Sequence, residues 1–402
     1  MAAEGPPAAG PGPGTGGAGA EAAAEAAFRA WLRAHPRGYA TRGGGPAEGH
    51  GSGGEWARRL EVFRGNREHM AEANAAGRSY TLALNDHADL TDDEFAERFG
   101  LRGVGLPLAG GPAAPQPSNG TLPAARDWRA QGAVTAVKTQ GACGACWAFA
   151  AVGAVEGISA IRSGTLVELS EQQIIDCAPP GAGEAGASGC RGGSPSEGLQ
   201  FIARNGVTTE DRYAYEGRAG SCREAPVLVN ISGWTEVAPG QEALKRAVAM
   251  QPVATSMRAG VRAVKLYKEG ILTDEAGECV GAVDHGVVVV GYGEESGTPF
   301  WTVKNSWGEA WGEGGFVQLI HFVRSIEHPR LTANKRVQVH SVGSPGGGFR
   351  CMQRRHAVLP TAEKRHVDRR PRQVGLQRRR GGALPPGEWR RERPWVPARR
   401  ED

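Results

Sequence analysis

The chain has 402 residues, a formal net charge of +4, 61 glycines and 6% aromatic residues. That length leaves room for two or three domains, and the composition points to long, loosely packed segments around an ordinary core. No stretch has the roughly 20 consecutive apolar residues of a membrane-spanning helix, which excludes a spanning protein of that kind.

Residues 1–27 are a low-complexity run of Ala, Gly, Pro and Glu, expected to be disordered. They lack the basic start and apolar core of a secretory leader. From Phe28 a helical pattern begins, with Phe28, Trp31 and Leu32 on one side, and a Gly-rich insertion from Gly43 to Gly54 interrupts it. Glu55, Arg59, Phe63, Asn66, Met70 and Asn74 then fall at offsets 0, 4, 8, 11, 15 and 19. At helical spacing they occupy an arc of about 100°, which predicts one stripe along one long helix. Ala83-x-Asn85-x-His87-x-Asp89 follows, and Thr91 reads as the N-cap of a short acidic helix through Phe95. Residues 28–99 thus read as a small helical domain. Residues 100–121 form a linker whose Gly, Pro and Ser content from Ala109 to Thr121 marks a place for proteolytic nicking.

The chemistry lies beyond residue 121. Gln140-Gly-Ala-Cys-Gly-Ala-Cys-Trp147 puts Cys146 in the first turn of an apolar helix running to about Ser163. A thiol is only a few per cent ionised at neutral pH, and a helix N-terminus favours the thiolate. Ser170 reads as the N-cap of a second helix to Asp176, and Gly189-Cys-Arg-Gly-Gly193 follows a Gly/Ala-rich loop. From about Gln251 the pattern turns to strands, with Val287–Val290, Gly-Tyr-Gly293 and Phe300–Lys304. His285 lies 139 residues after Cys146, and Asn305, in Asn-Ser-Trp-Gly308, lies 159 after it. A Cys paired with a His, oriented in turn by a third polar group, is the pattern of an activated nucleophile. Cys-x-x-Cys also admits a redox pair or half a zinc site, but no second such pair and no His pair of matching spacing follow.

These three segments, in this order, resemble the papain-like cysteine proteases from about Phe28 to Leu319. The 55–74 stripe matches the ERFNIN motif of the family's inhibitory propeptides, with Met70 for the usual isoleucine. Ala83 and His87 replace the usual Gly and Phe of the second propeptide motif. The resemblance implies an α+β fold, a two-lobed protease with one helical and one β-rich half, preceded by a helical prosegment. It implies the domains 28–99 for the propeptide and 122–319 for the peptidase, with a mature start near Leu122. It implies Cys146 as nucleophile, His285 as its partner, Asn305 as orienting group and Gln140 as oxyanion donor. Gly192, Gly193, Pro195, Ser256, Val283 and Trp307 would line the substrate cleft and cover the site. Cys143 would pair with Cys190 and Cys177 with Cys222; Cys279 matches a family cysteine whose partner lies near the C-terminus. No cofactor or metal is implied. The partners would be polypeptide substrates and the chain's own propeptide, in a monomer with no nucleic-acid partner and no membrane span. Acid would release the propeptide, whose carboxylates include Glu55, Asp89 and Glu94.

Seven cysteines, all after residue 140, suit an oxidising route ending in lysosome, vacuole or outside the cell. Asn119-Gly-Thr and Asn230-Ile-Ser are glycosylation sequons compatible with it. After Leu319 the family pattern stops, and residues 320–402 read as a basic, disordered tail arising from an error at the gene's end. From Cys351 onward the net charge is +9, so the preceding 350 residues carry −5. The tail lacks the interleaved aromatics of a nucleic-acid binder. Loss of the family's closing segment leaves a catalytically inactive binding homologue as the rival reading.

Overall fold

A computed structural model describes residues 16–41, 52–99, 121–178, 189–274, 283–321 and 358–361. Cys279, Cys351, Asn119 and the linker between 100 and 120 lie outside the described residues. The first helix, α1 (Gly16–Ala34), corrects the expectation of disorder through residue 27. Ala and Glu are strong helix formers, and Ala24 is buried, so the low-complexity run extends the Phe28 helix backward by three turns. A short α2 (Gly38–Thr41) leads toward α3 (Ser52–Ala75). Phe28 packs against Trp56 and Phe63 of α3 with ring centroids 5.0 Å apart in both pairs.

The expected stripe faces one way along α3 and ties down the chain that follows it. Arg59 bridges Glu55 and Glu94 and donates to the Asp89 carbonyl at 2.9 Å. Asn66 Nδ2 donates to the carbonyls of Ala88 (2.8 Å) and Leu90 (3.0 Å). Asn74 closes both backbone groups of Leu82 in β1 (Tyr80–Leu82). Thr91 caps α4 (Asp92–Arg98) in a reciprocal box with Glu94.

The second part of the chain begins with β2 (Arg126–Asp127), then α5 (Cys146–Ser163), α6 (Glu171–Cys177), a 3-10 turn at Gly189–Arg191 and α7 (Pro195–Asn205). There follow β3 (Gly233–Glu236), α8 (Gln241–Met250), β4 (Val253–Met257), α9 (Arg262–Lys265) and β5 (Tyr267–Leu272). The last strands are β6 (His285–Glu295), β7 (Thr298–Lys304), β8 (Phe316–Ile320) and β9 (Val358–Thr361). Helix α5 is apolar nearly all round because it is central: Gly157 meets Pro252 and Gly153 meets Val288, leaving no room for larger side chains. The strands run in the order β1-β5-β8-β7-β6-β4-β9-β3, with β2 added to β6.

The prosegment shares the apolar core of the β half. Strand β1 adds antiparallel to β5, and Gly270 makes that approach possible. Its φ of +91° and the Ser79 carbonyl, 2.4 Å from where a Cβ would stand, leave room for glycine alone. Lys265 of the peptidase is fully buried against the prosegment, where it donates to Asn66, the Leu90 carbonyl and Asp92.

Strand β9 corrects the reading of residues 320–402 as lying wholly outside the fold. Val358 and Leu359 are buried, and β9 pairs with β3 along four residues and with Ala254 of β4. A run of three apolar residues before a proline, Ala357 to Leu359, is too short to announce a strand; the sheet supplies the partner that makes it one.

A buried charge cluster ties Lys138 to helices α5 and α6. Lys138 lies 2.9 Å from Glu171, 3.5 Å from Glu156 and 3.8 Å from Glu210, and these carboxylates hold its ammonium charged against the cost of burial. Lys138→Met should destabilise the fold by about 3–5 kcal/mol, because buried Glu171 then loses its hydrogen-bonded cation. Denaturant unfolding measures this, and adding Glu171→Gln should recover part of the loss. An unchanged midpoint in the single variant would contradict the buried-pair account.

Candidate active site

Cys146 opens α5, as the spacing predicts, and is buried. His285 opens β6. Gly286 beside it would place a Cβ 2.9 Å from the Cys146 carbonyl, so only glycine lets this strand lie against the first turn of α5. That contact is what brings His285 to the helix end. Asn305 ends the β7 hairpin arm and accepts at Oδ1 from the Ser306 backbone N–H at 2.7 Å. The same oxygen lies 2.8 Å from His285 Nε2. An oxygen already accepting there requires Nε2 to carry the proton, which leaves Nδ1 as the free base. Nδ1 is buried and has no hydrogen-bond partner among the described residues. The Trp307 ring lies 4.7 Å from the imidazole, centroid to centroid, and covers it.

Gln140 is fully buried and held by a residue that sequence reasoning missed. Ser306 Oγ donates to Gln140 Oε1 at 2.6 Å, and the Gln140 backbone N–H donates to the Ser306 carbonyl at 2.8 Å. These bonds turn the amide nitrogen outward. It donates to the Cys143 carbonyl at 2.9 Å and to the Phe99 carbonyl of the prosegment at 3.2 Å. A serine 166 residues away gives no signal in sequence spacing.

The prosegment closes the site from above. Phe95, Phe99 and His87 gather on Trp307, with centroids at 4.9, 5.1 and 6.3 Å. In this covered state burial pushes the Cys146 thiol up to about 11, against the help of the Gly286 and Trp147 backbone amides. Burial likewise pushes the His285 imidazole down to about 4. Under the docked prosegment, burial thus opposes charge on both groups.

The residues expected to line a cleft lie in these places. Gly193 would drive a Cβ to within 2.7 Å of the Trp147 ring, so its lack of a side chain serves internal packing as well as any approaching backbone. Gly192 has a φ of +118°. Pro195 is the first residue of α7, whose N-cap Ser194 forms a reciprocal box with Glu197. Ser256 pairs in register with Gly286, and Val283 precedes β6; both are buried. Cys143–Cys190 and Cys177–Cys222 are bonded, and Cys146 is the free thiol among the described residues.

A buried thiol at a helix start, an imidazole of fixed tautomer on the strand packed against that start, and a helical segment of the same chain over both are the parts of a covered precursor site. The papain family cysteine protease domain matches residues 122–332, and the cathepsin propeptide inhibitor domain matches residues 28–95. This chain belongs to the papain family, as a cysteine endopeptidase zymogen with its own propeptide inhibitor domain. It is 44% identical over 300 residues to cysteine endopeptidase RepA of Oryza sativa subsp. japonica, spanning 70% of this chain and 77% of that protein. It is 42% identical over 261 residues to caricain of Carica papaya, spanning 63% and 72%. The proform of the ragweed pollen cysteine protease Amb a 11 superposes with a TM-score of 0.66 at 32% identity, covering 86% of this chain and 96% of that one.

Proposed function

We propose that Cys146, His285, Asn305 and Gln140 perform peptide-bond hydrolysis once residues 28–99 leave the cleft. The observation that supports this most is the His285–Asn305 bond, which leaves a bare Nδ1 on the strand packed against the N-terminus of α5. Sγ of Cys146 gives its proton to Nδ1 and attacks the scissile carbonyl carbon. The carbonyl oxygen gathers negative charge and is met by the Gln140 side-chain amide, freed from Phe99, and by the Cys146 backbone N–H. The tetrahedral adduct collapses, the C–N bond breaks, and the amine leaves with the proton from Nδ1. Water then gives a proton to Nδ1 and attacks the thioester, releasing the acid and restoring the thiol.

Gly192, Gly193, Pro195, Ser256, Val283 and Trp307 line the path of an extended polypeptide. The small and apolar walls at Pro195, Ser256 and Val283 favour a hydrophobic side chain two residues before the cut. The enzyme acts as a monomer in a vacuolar, lysosomal or extracellular setting, where two disulfides persist. The test is to nick the linker between 100 and 121, separate the prosegment, and treat the product with a thiol-directed epoxide. One adduct, at Cys146, with parallel loss of fluorogenic-peptide hydrolysis, is expected. An active enzyme carrying the adduct, or an adduct mapped elsewhere, would overturn the assignment.

A further inference from the structure

We infer that Asn230 is an N-glycosylation site of this chain, modified by an oligosaccharide from a lipid-pyrophosphate donor. Asn230-Ile231-Ser232 has the acceptor pattern, with no proline in the middle. The pattern alone is common, so the argument rests on how the fold presents it. Residues 227–232 carry no helix, and the Val229 backbone pairs with Val207 through bonds of 2.8 and 3.0 Å. In an extended segment alternate side chains share a face. Val229 and Ile231 are the inward pair, partly and almost wholly buried; Leu228, Asn230 and Ser232 are exposed. The acceptor amide and the hydroxyl the transferase must recognise therefore stand together on the outer face, while Ile231 anchors the segment from beneath.

A second observation concerns what surrounds the acceptor. Val227 and Leu228 are 53% and 55% exposed, the two most exposed large hydrophobics among the described residues. Leu228 shares the face of Asn230. A glycan's first sugars carry apolar faces that pack on such side chains, and a surface leucine beside the attachment point is then covered. The step joins the anomeric carbon of the first sugar to Asn230 Nδ2; the amide loses one proton and the lipid pyrophosphate leaves. The inference rests on the secretory route proposed above, so the test supplies that route independently.

The full chain is expressed behind a secretion leader in a eukaryotic host, and the secreted protein is treated with peptide N-glycosidase in heavy-oxygen water. Heavy-oxygen aspartate at 230 in most molecules is the expected result. Asn230→Gln and Ser232→Ala should each lose the mark at 230, Ser232→Thr should keep it, and hydrolysis by the released enzyme should be unchanged in all three. A sugar at Asn119, if present, maps to a different peptide. Recovery of unmodified Asn230 from the secreted wild-type chain would overturn the inference and leave the protease assignment untouched.

Discussion

Cys146→Ala is expected to lower peptide hydrolysis by on the order of 10⁵-fold or more, the scale found when an activated serine nucleophile is deleted. The thiol is the atom that bonds to substrate, so no neighbour can replace it. The fold should survive. Position 146 is a buried first-turn residue, alanine favours helices, and the adjacent Cys143–Cys190 bond is untouched. The measurement is kcat/KM on a fluorogenic peptide after prosegment removal, beside circular dichroism of the same sample. Residual hydrolysis above a trace in a folded variant would remove Cys146 from the role. The intact wild-type chain should also react slowly with thiol reagents at pH 7, because a thiol pushed to about 11 is almost wholly protonated.

Acid is expected to open the precursor through His87 rather than through the prosegment's carboxylates. His87 stands where the family's propeptides have Phe, buried at 4% exposure, with Nδ1 lacking a partner and Phe95 and Phe99 against its ring. Burial depresses it to about 3 from 6.5; Arg98, Arg37 and Lys265 push the same way, and Asp86 opposes them. A depressed histidine stabilises docking fully above its free value and less at each step below it, so this contribution fades between pH 6.5 and 3. From pH 7 to 5 the docked state should weaken roughly 20–30-fold. Glu94 is held at about 2 despite burial, through its bonds to Thr91, Arg58 and Arg59, and Glu55 is lowered by bonds to Arg58 and Arg59. Their contributions persist above the ordinary carboxylate value near 4.5 and are lost only below it. They are silent between pH 7 and 5, where His87 already acts. The readout is epoxide labelling of Cys146 in the intact chain at pH 7 and pH 5, for wild type and His87→Phe. The ratio of the two proteins' rates should shift toward wild type by that factor on acidification. Equal pH profiles would exclude His87 as the sensor.

What the sequence made legible was local or periodic. The six-residue stripe on α3 could be read because one helix repeats its geometry over five turns; Arg59, Asn66 and Asn74 proved to bond the chain between 82 and 94, while Glu55 holds Arg59. The caps at Thr91 and Ser170 could be read because they act within three residues. Other features depended on partners far along the chain. Ser306 reaches Gln140 only after β7 folds back, and Gly286 is needed only because α5 lies against it. The burial of Cys146 and His285 beneath the prosegment is a tertiary fact that a local motif does not carry. Strand β9 gave no signal because four residues gain their stability from β3 and β4.

The pairing of β1 with β5 has a sequel once maturation removes β1. The outward N–H and C=O groups of Tyr267–Leu272 then lose their partners, and an unpaired strand of this kind is a template for aggregation. The peptidase carries its own protection there. Lys268 and Glu269 are exposed at the middle of the strand, charges that a stacking neighbour would have to desolvate. Glu313 already accepts from the Gly270 N–H and the Tyr267 hydroxyl, and the positive φ of Gly270 bends the line a second strand would follow. The mature enzyme can thus lose a strand of its sheet and remain a poor seed for fibres.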